Sequence, residues 1–162
     1  MEIDELPKQL RPWWNHEFSS GGTTGPDYKQ FENAYGRYLR KILPGYEVEM
    51  HRNHYEFSAV VKKPGKGGAR DKFVYLSIQD VRFFPRKWAD CVLARTMEHA
   101  KDWTGGPNTY CTVNGIAERV NELMERITAL VCNRFSAVWT SPTPTAIHGS
   151  KAPKTRTKHI IQ

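Results

Sequence analysis

The spacing of the apolar residues changes along this chain, and that change limits the folds it can adopt. Between residues 28 and 42, apolar side chains recur every three or four positions, as on one face of a helix. Between residues 47 and 80 they alternate, as in strands, and from residue 86 helical spacing returns. This order predicts an α+β fold in which helices cover one face of a small sheet.

The first helix is predicted to begin at Pro26 and to end before Pro44. Proline suits the first helical turn, and Asp27 lies near the positive end of the helix dipole. The apolar face consists of Tyr28, Phe31, Tyr35, Tyr38, Leu39 and Ile42. These positions share one side of a helix, so we expect them in the core.

Three strands are predicted next, at residues 47–50, 55–61 and 72–80, with a turn at 51–54. Their short connections favour an antiparallel meander, because parallel strands need long crossovers. Two C-terminal helices, residues 86–103 and 112–131, would complete a two-layer sandwich. The order helix, three strands, helix is also that of double-stranded-RNA-binding domains, although Asp90 departs from their lysine-rich run.

The chain divides into three predicted parts. Residues 1–26 are read as an irregular arm, residues 27–132 as a single α+β domain, and residues 133–162 as a disordered tail containing Pro, Ser and Thr. Trp13, Trp14 and Phe18 make the arm too apolar to stay in water. We expect the arm to dock on the core of its own domain, with partner binding as the alternative.

Positive charge is concentrated in the tail. The net charge is +7, and from residue 133 onward there are five Lys or Arg and no acid. The preceding residues hold the other 19 basic residues against all 17 acidic ones, so they are nearly neutral. A basic, acid-free terminal segment is typical of arms that lie on nucleic acid.

A second basic segment surrounds the Gly-rich stretch 64–71, which the pattern predicts as a hairpin loop. Long cationic side chains on such a loop can contact phosphates without reading bases; a solvated turn is the alternative interpretation. The predicted nucleic-acid-binding residues are Lys62, Lys63, Lys66, Arg70, Lys72, Arg86, Lys87, Lys151, Lys154, Arg156 and Lys158.

Several aromatic and loop residues are candidates for contact with a protein. Consecutive aromatics cannot both face one core, and the loop between residues 104 and 110 is long for a plain connection between helices. The predicted protein-interaction residues are Trp13, Trp14, Phe83, Phe84, Asn108 and Tyr110.

Catalytic and cofactor patterns are weak in this sequence. The three cysteines form no Cys-x-x-Cys pair, and no nucleophile-elbow motif is present. His51 and His54 with Glu49 or Asp80 could ligate a metal only if a turn intervenes. We therefore predict no cofactor and no metal site. A small metal-dependent nuclease is the second alternative to the leading functional hypothesis given below.

The leading functional hypothesis is a non-enzymatic, cytoplasmic accessory protein that contacts nucleic acid or a nucleoprotein complex. Neither a signal peptide nor a membrane span is predicted. The alternative is a protein-interaction module, an inhibitor or adaptor of a nucleic-acid-processing complex such as a phage or mobile-element anti-defence protein.

Overall fold

The structure is a computed structural model that describes residues 1–19, 25–53, 56–65, 72–78, 87–99, 102 and 105–136. Its helices and strands are α1 (Pro26–Ile42), β1 (Glu47–Asn53), β2 (Glu56–Lys62), β3 (Phe73–Ile78), β4 (Val92–Met97), β5 (Thr109–Cys111) and α2 (Ile116–Ser136). The strands form one antiparallel sheet in the order β1-β2-β3-β4-β5. The chain is therefore α+β, with a larger sheet than the sequence pattern predicts.

Helix α1 forms where the apolar spacing predicts it. Pro26 occupies its first position, and the helix ends where the Leu43 amide bonds the Leu39 carbonyl oxygen at 2.9 Å. Its buried face carries Tyr28, Phe31, Ala34, Tyr35, Gly36, Tyr38 and Leu39. The six side chains of this face, Gly36 having none, all pack in the main core, which confirms the predicted face.

The first three strands also lie near their predicted positions. The predicted turn is placed slightly wrongly, because residues 51–53 belong to β1 and the register pairs Asn53 with Glu56. Only residues 54 and 55 separate the two strands. The meander itself is confirmed for β1, β2 and β3.

The helix predicted over residues 86–103 is wrong. Residues 92–97 form β4, which pairs with β3 on one side and with β5 on the other. Val92 and Ala94 point into the main core, while Leu93 and Met97 pack in a second cluster on the opposite face. Both faces of this strand are buried, so its apolar run does not alternate with polar residues and resembles a buried helix segment. The resemblance to double-stranded-RNA-binding domains ends here, because the described part of the chain has five strands before α2 instead of three.

Helix α2 confirms the last predicted helix. A 3₁₀ turn, Val113–Gly115, leads into it, and the Thr112 side chain accepts a hydrogen bond from the Gly115 amide at 3.2 Å. The helix reaches Ser136, so its backbone extends into the segment predicted as tail. Residues 137–162 lie outside the described part of the chain.

The N-terminal arm packs on the domain, as predicted from its apolar residues. Leu6 and Leu10 are fully buried in the main core. The Trp13 ring stacks on Phe18 at 5.9 Å and meets the edge of Phe31 at 5.5 Å. The arm and both helices therefore cover the same face of the sheet.

Candidate nucleic-acid interface

Lys62, at the end of β2, is paired with acids of the neighbouring strand. Its Nζ lies 3.6 Å from an Oε atom of Glu47 and 3.8 Å from one of Glu49, and its side chain is 22 % exposed. All three residues point to the sheet face opposite the helices, because the register places Glu47 opposite Lys62. The charge of Lys62 is therefore largely compensated within the fold.

Lys72, just before β3, is compensated in the same way. Its Nζ lies 2.7 Å from a carboxylate oxygen of Glu98, and its side chain is 15 % exposed. Exposed ion pairs contribute only about 0–1 kcal/mol to stability, but these two lysines are half-buried and have their partners within reach. Lys62 and Lys72, on either side of the Gly-rich stretch, therefore form ion pairs within the fold. These ion pairs must open before either lysine can contact a ligand.

Lys63 is exposed, and its described hydrogen bond is to α2. Its Nζ donates to the Thr128 hydroxyl oxygen at 3.1 Å, and that hydroxyl donates to the Met124 carbonyl oxygen at 2.8 Å. An open groove of about 420 Å³ lies beside this contact. It is lined by Tyr46, Lys63, Met124, Glu125, Thr128 and Ala129.

The contact between Lys63 and Thr128 brings the end of β2 next to the last turns of α2. Lys63 is where the chain leaves β2 toward the Gly-rich stretch, and Thr128 lies about 12 Å along the axis of α2 from Ser136. The tail follows Ser136 directly. The two segments that the sequence singles out as basic therefore start from the same end of the sheet.

Many of the predicted contact residues lie outside the described residues. For Lys87 only the backbone is described, in the 3₁₀ turn Lys87–Ala89. The residues that fall entirely outside are Lys66, Arg70, Phe83, Phe84, Arg86, Lys151, Lys154, Arg156 and Lys158. Their predicted roles stay predictions.

A basic strip on α1 was not among the predicted site residues. Lys29, Arg37 and Lys41 are exposed, and within the described chain none of them has a carboxylate partner. Their spacing of eight and four residues places them on one side of the helix. The sequence contains the signal for this strip, because the spacing of the three cations can be read from it directly.

The predicted protein-interaction residues separate into two groups. Trp13 and Trp14 are half-buried against the main core, so only the exposed parts of their rings could meet a partner. Asn108 is exposed, and Tyr110 in β5 is 56 % exposed, on the sheet face opposite the helices beside Leu93. Tyr110 is a large aromatic side chain available at the surface.

The loop before Tyr110 is held by bonds to β4. The Gly105 carbonyl oxygen accepts a hydrogen bond from Arg95 Nη1 at 3.3 Å, and the Arg95 guanidinium stacks on the Tyr75 ring at 4.9 Å. Gly106 has φ +72°, and a Cβ atom there would lie 2.8 Å from the Thr96 carbonyl oxygen. The glycine is therefore required by the close approach of the loop to the strand.

Groups that could support catalysis are sparse in the described part of the chain. His51 Nε2 lies 3.6 Å from Glu49 Oε1, but no group of three His, Cys, Asp or Glu residues there could hold a metal ion. His54 and Asp80, the other candidate metal ligands, lie outside the described residues. Burial raises the pKa of the Cys111 thiol to about 11, so at neutral pH it is a protonated, weak nucleophile.

No protein-family model, curated protein or solved structure matches the chain. Among the helices described here, neither α1 nor α2 is long and apolar enough to cross a membrane. The interpretation of function therefore depends on the residues themselves.

Proposed function

We propose that the protein is a non-enzymatic accessory protein that contacts nucleic acid, or a nucleoprotein complex, through the Gly-rich hairpin segment and the tail. The observation that supports the proposal is the contact between Lys63 and Thr128, which brings the residue before the Gly-rich segment next to the last turns of α2, the helix that the tail follows. Two cationic segments that start from one place can follow the same stretch of phosphate backbone.

The electrostatics of the fold indicate which residues would make these contacts. Lys62 and Lys72 are paired with acids, so the basic residues beyond the hairpin base, Lys66 and Arg70, are the better candidates. The tail adds four further cations, Lys151, Lys154, Arg156 and Lys158, with no acid after residue 133. Contacts of this kind release counterions from the nucleic acid and give little sequence preference.

Fluorescence anisotropy with labelled single- and double-stranded oligonucleotides tests this proposal. The slope of log affinity against log salt should be reduced by about 0.9 for each phosphate contact that is removed. We therefore expect a much shallower slope in a variant carrying Gln at Lys66, Arg70, Lys151, Lys154, Arg156 and Lys158. Wild-type affinity that does not change between about 50 and 200 mM salt would remove the proposal.

The basic strip of α1 provides a control that removes three exposed cations instead of six. A variant with Lys29→Gln, Arg37→Gln and Lys41→Gln also loses cations without touching a described ion pair. We expect it to bind like the wild-type protein. If it loses binding while the hairpin and tail variant keeps it, the interface lies on α1 and the proposed location is wrong.

The second candidate function is a protein-interaction module, inhibitor or adaptor, and exposed Tyr110 favours it. Tyrosine is enriched among residues that dominate binding energy at interfaces, and Asn108 beside it could bond a partner. A pull-down with and without nuclease separates the two functions. A partner that survives nuclease treatment and is lost in Tyr110→Ala supports this candidate, whereas a partner lost with nuclease supports nucleic-acid contact.

A further inference from the structure

The outer edge of β1 presents backbone groups that no strand of the described chain pairs. β1 is the first strand of the sheet, and its only strand partner there is β2. The last pair before the two-residue connection is Asn53 with Glu56, and the pair that closes a two-residue hairpin exchanges both backbone bonds. By alternation, the amide and carbonyl groups of Val48, Met50 and Arg52 point away from β2.

A contact with α1 supports this assignment. Arg40 Nη2 donates to the Val48 carbonyl oxygen at 3.4 Å, which requires that carbonyl to point outward. Among the hydrogen bonds of the described residues, this long bond is the one made to the outer backbone groups of Val48 and Met50. A seven-residue edge with so little cover is a template for an additional strand.

The side chains of β1 define what such a strand must carry. Glu47 and Glu49 lie on one face of the edge, with side chains 48 % and 58 % exposed. Val48 and Met50 lie on the other face and pack against the main core. In the part of the chain that the structure describes, these two acids share the single cation Lys62, so a complementary strand is favoured by cations opposite Glu47 and Glu49 and by uncharged residues that favour strands between them.

The tail of this chain contains a segment with that pattern. Residues 154–158 read Lys-Thr-Arg-Thr-Lys, with three cations on one side of an extended chain and two threonines on the other. The 17 residues between Ser136 and this segment can span at most about 60 Å, and β1 is only about 24 Å long. The tail also begins at the end of the sheet where Glu47 bonds the Gly65 amide, so β1 is within reach.

We propose that residues 154–158 of the same chain add to β1 as an antiparallel edge strand. Arg156 then lies opposite Glu49, Lys158 opposite Glu47 and Lys154 opposite His51, while the backbones of Thr155 and Thr157 bond Met50 and Val48. The docking site does not depend on the proposed function. Where both hold, the same cations serve either β1 or phosphate, and nucleic acid competes with the docked tail.

Amide hydrogen exchange, measured by NMR on the full chain without nucleic acid, tests the inference. Thr155→Pro with Thr157→Pro removes two backbone donors and keeps every charge, whereas Thr143→Pro with Thr145→Pro is a matched control elsewhere in the tail. We expect the Val48 and Met50 amides to exchange at least ~10-fold faster in the first variant than in the wild-type protein or the control. The Leu76 amide in β3 should be unchanged in all of them, which verifies the fold.

A charge exchange tests the register. Glu49→Lys should speed the hydrogen exchange of the Val48 and Met50 amides, and Arg156→Glu should do the same. The combination of both substitutions should restore their protection. Equal exchange in the wild-type protein and the Thr155→Pro, Thr157→Pro variant would overturn the inference. Protection that appears only with rising protein concentration would show that a second copy occupies the edge, and would overturn docking within one chain. Neither result touches the anisotropy measurement, so the two proposals fail separately.

Discussion

The Tyr38 hydroxyl donates a 3.0 Å hydrogen bond to the carbonyl oxygen of Val113, 75 residues later in the chain. Tyr38 is a buried residue of α1, and Val113 lies in the turn that leads into α2. Burial raises the pKa of Tyr38 to about 12, so the hydroxyl remains a donor over the physiological pH range. This bond joins α1 to the turn that leads into α2, on the core face of the sheet.

Tyr38→Phe should therefore lower the free energy of unfolding by about 1 kcal/mol, because it removes a buried hydrogen bond, while the Val113 carbonyl keeps its bond from the Ile116 amide. Urea denaturation measures the change. Tyr46→Phe is the control, since its hydroxyl bonds Asn121 at 3.0 Å at the surface, where water can replace it. If both variants lose the same free energy of unfolding, the buried bond of Tyr38 contributes no more to stability than the exposed bond of Tyr46.

Gly106→Ala should be destabilising by more than about 1 kcal/mol, because alanine is strained at positive φ and its Cβ would collide with Thr96. Gly45→Ala is the matched control, since a Cβ there meets nothing within 4 Å. We expect the control to remain within about 0.5 kcal/mol of the wild-type protein by thermal or urea denaturation. A neutral Gly106→Ala would mean that the loop does not need its close approach to β4.

The elements that the sequence predicted well are those whose apolar pattern is one-sided. Helix α1 has a buried and an exposed face, so Tyr28, Phe31 and Tyr35 could be placed before the structure was known. β4 could not, because Val92 and Leu93 are both buried on opposite faces of the sheet. Spacing does not distinguish such a run from a buried helix.

The basic residues of the candidate interface could be predicted from the sequence, but the carboxylates with which they form ion pairs could not. The sequence shows that Lys62 and Lys72 are basic, but their carboxylate partners are set by tertiary structure. Glu98 directly follows β4. The sequence pattern predicts a helix at this position, and a helix does not predict that Glu98 lies beside Lys72. The antiparallel register that brings Glu47 opposite Lys62 is likewise a property of the folded sheet.

The ionised Asp27 carboxylate stabilises the folded protein, and this contribution should be lost in acid. Burial alone would raise its pKa, but hydrogen bonds from the Ser19 amide and hydroxyl, the Tyr28 amide and His16 outweigh it and lower the pKa from 3.8 to about 2. A carboxyl whose folded pKa lies below its unfolded value adds stability above about pH 4, and this stability is lost as the pH falls toward 2. Denaturation of the wild-type protein and of Asp27→Asn should therefore show a steeper decline below pH 4 in the wild-type protein. Parallel profiles would contradict the assignment.

The lysines at the hairpin base and the cations beyond it should differ in their effect on nucleic-acid binding. Lys62 and Lys72 are already paired with Glu47 and Glu98, so Lys62→Gln with Lys72→Gln should leave the salt dependence of binding unchanged. Lys66→Gln with Arg70→Gln removes the same charge, and each lost phosphate contact should reduce the salt slope by about 1. Anisotropy titrations of both double variants against one oligonucleotide decide the matter. If the first variant shows the larger change, the ion pairs open when ligand binds, and the base of the hairpin itself is the contact surface.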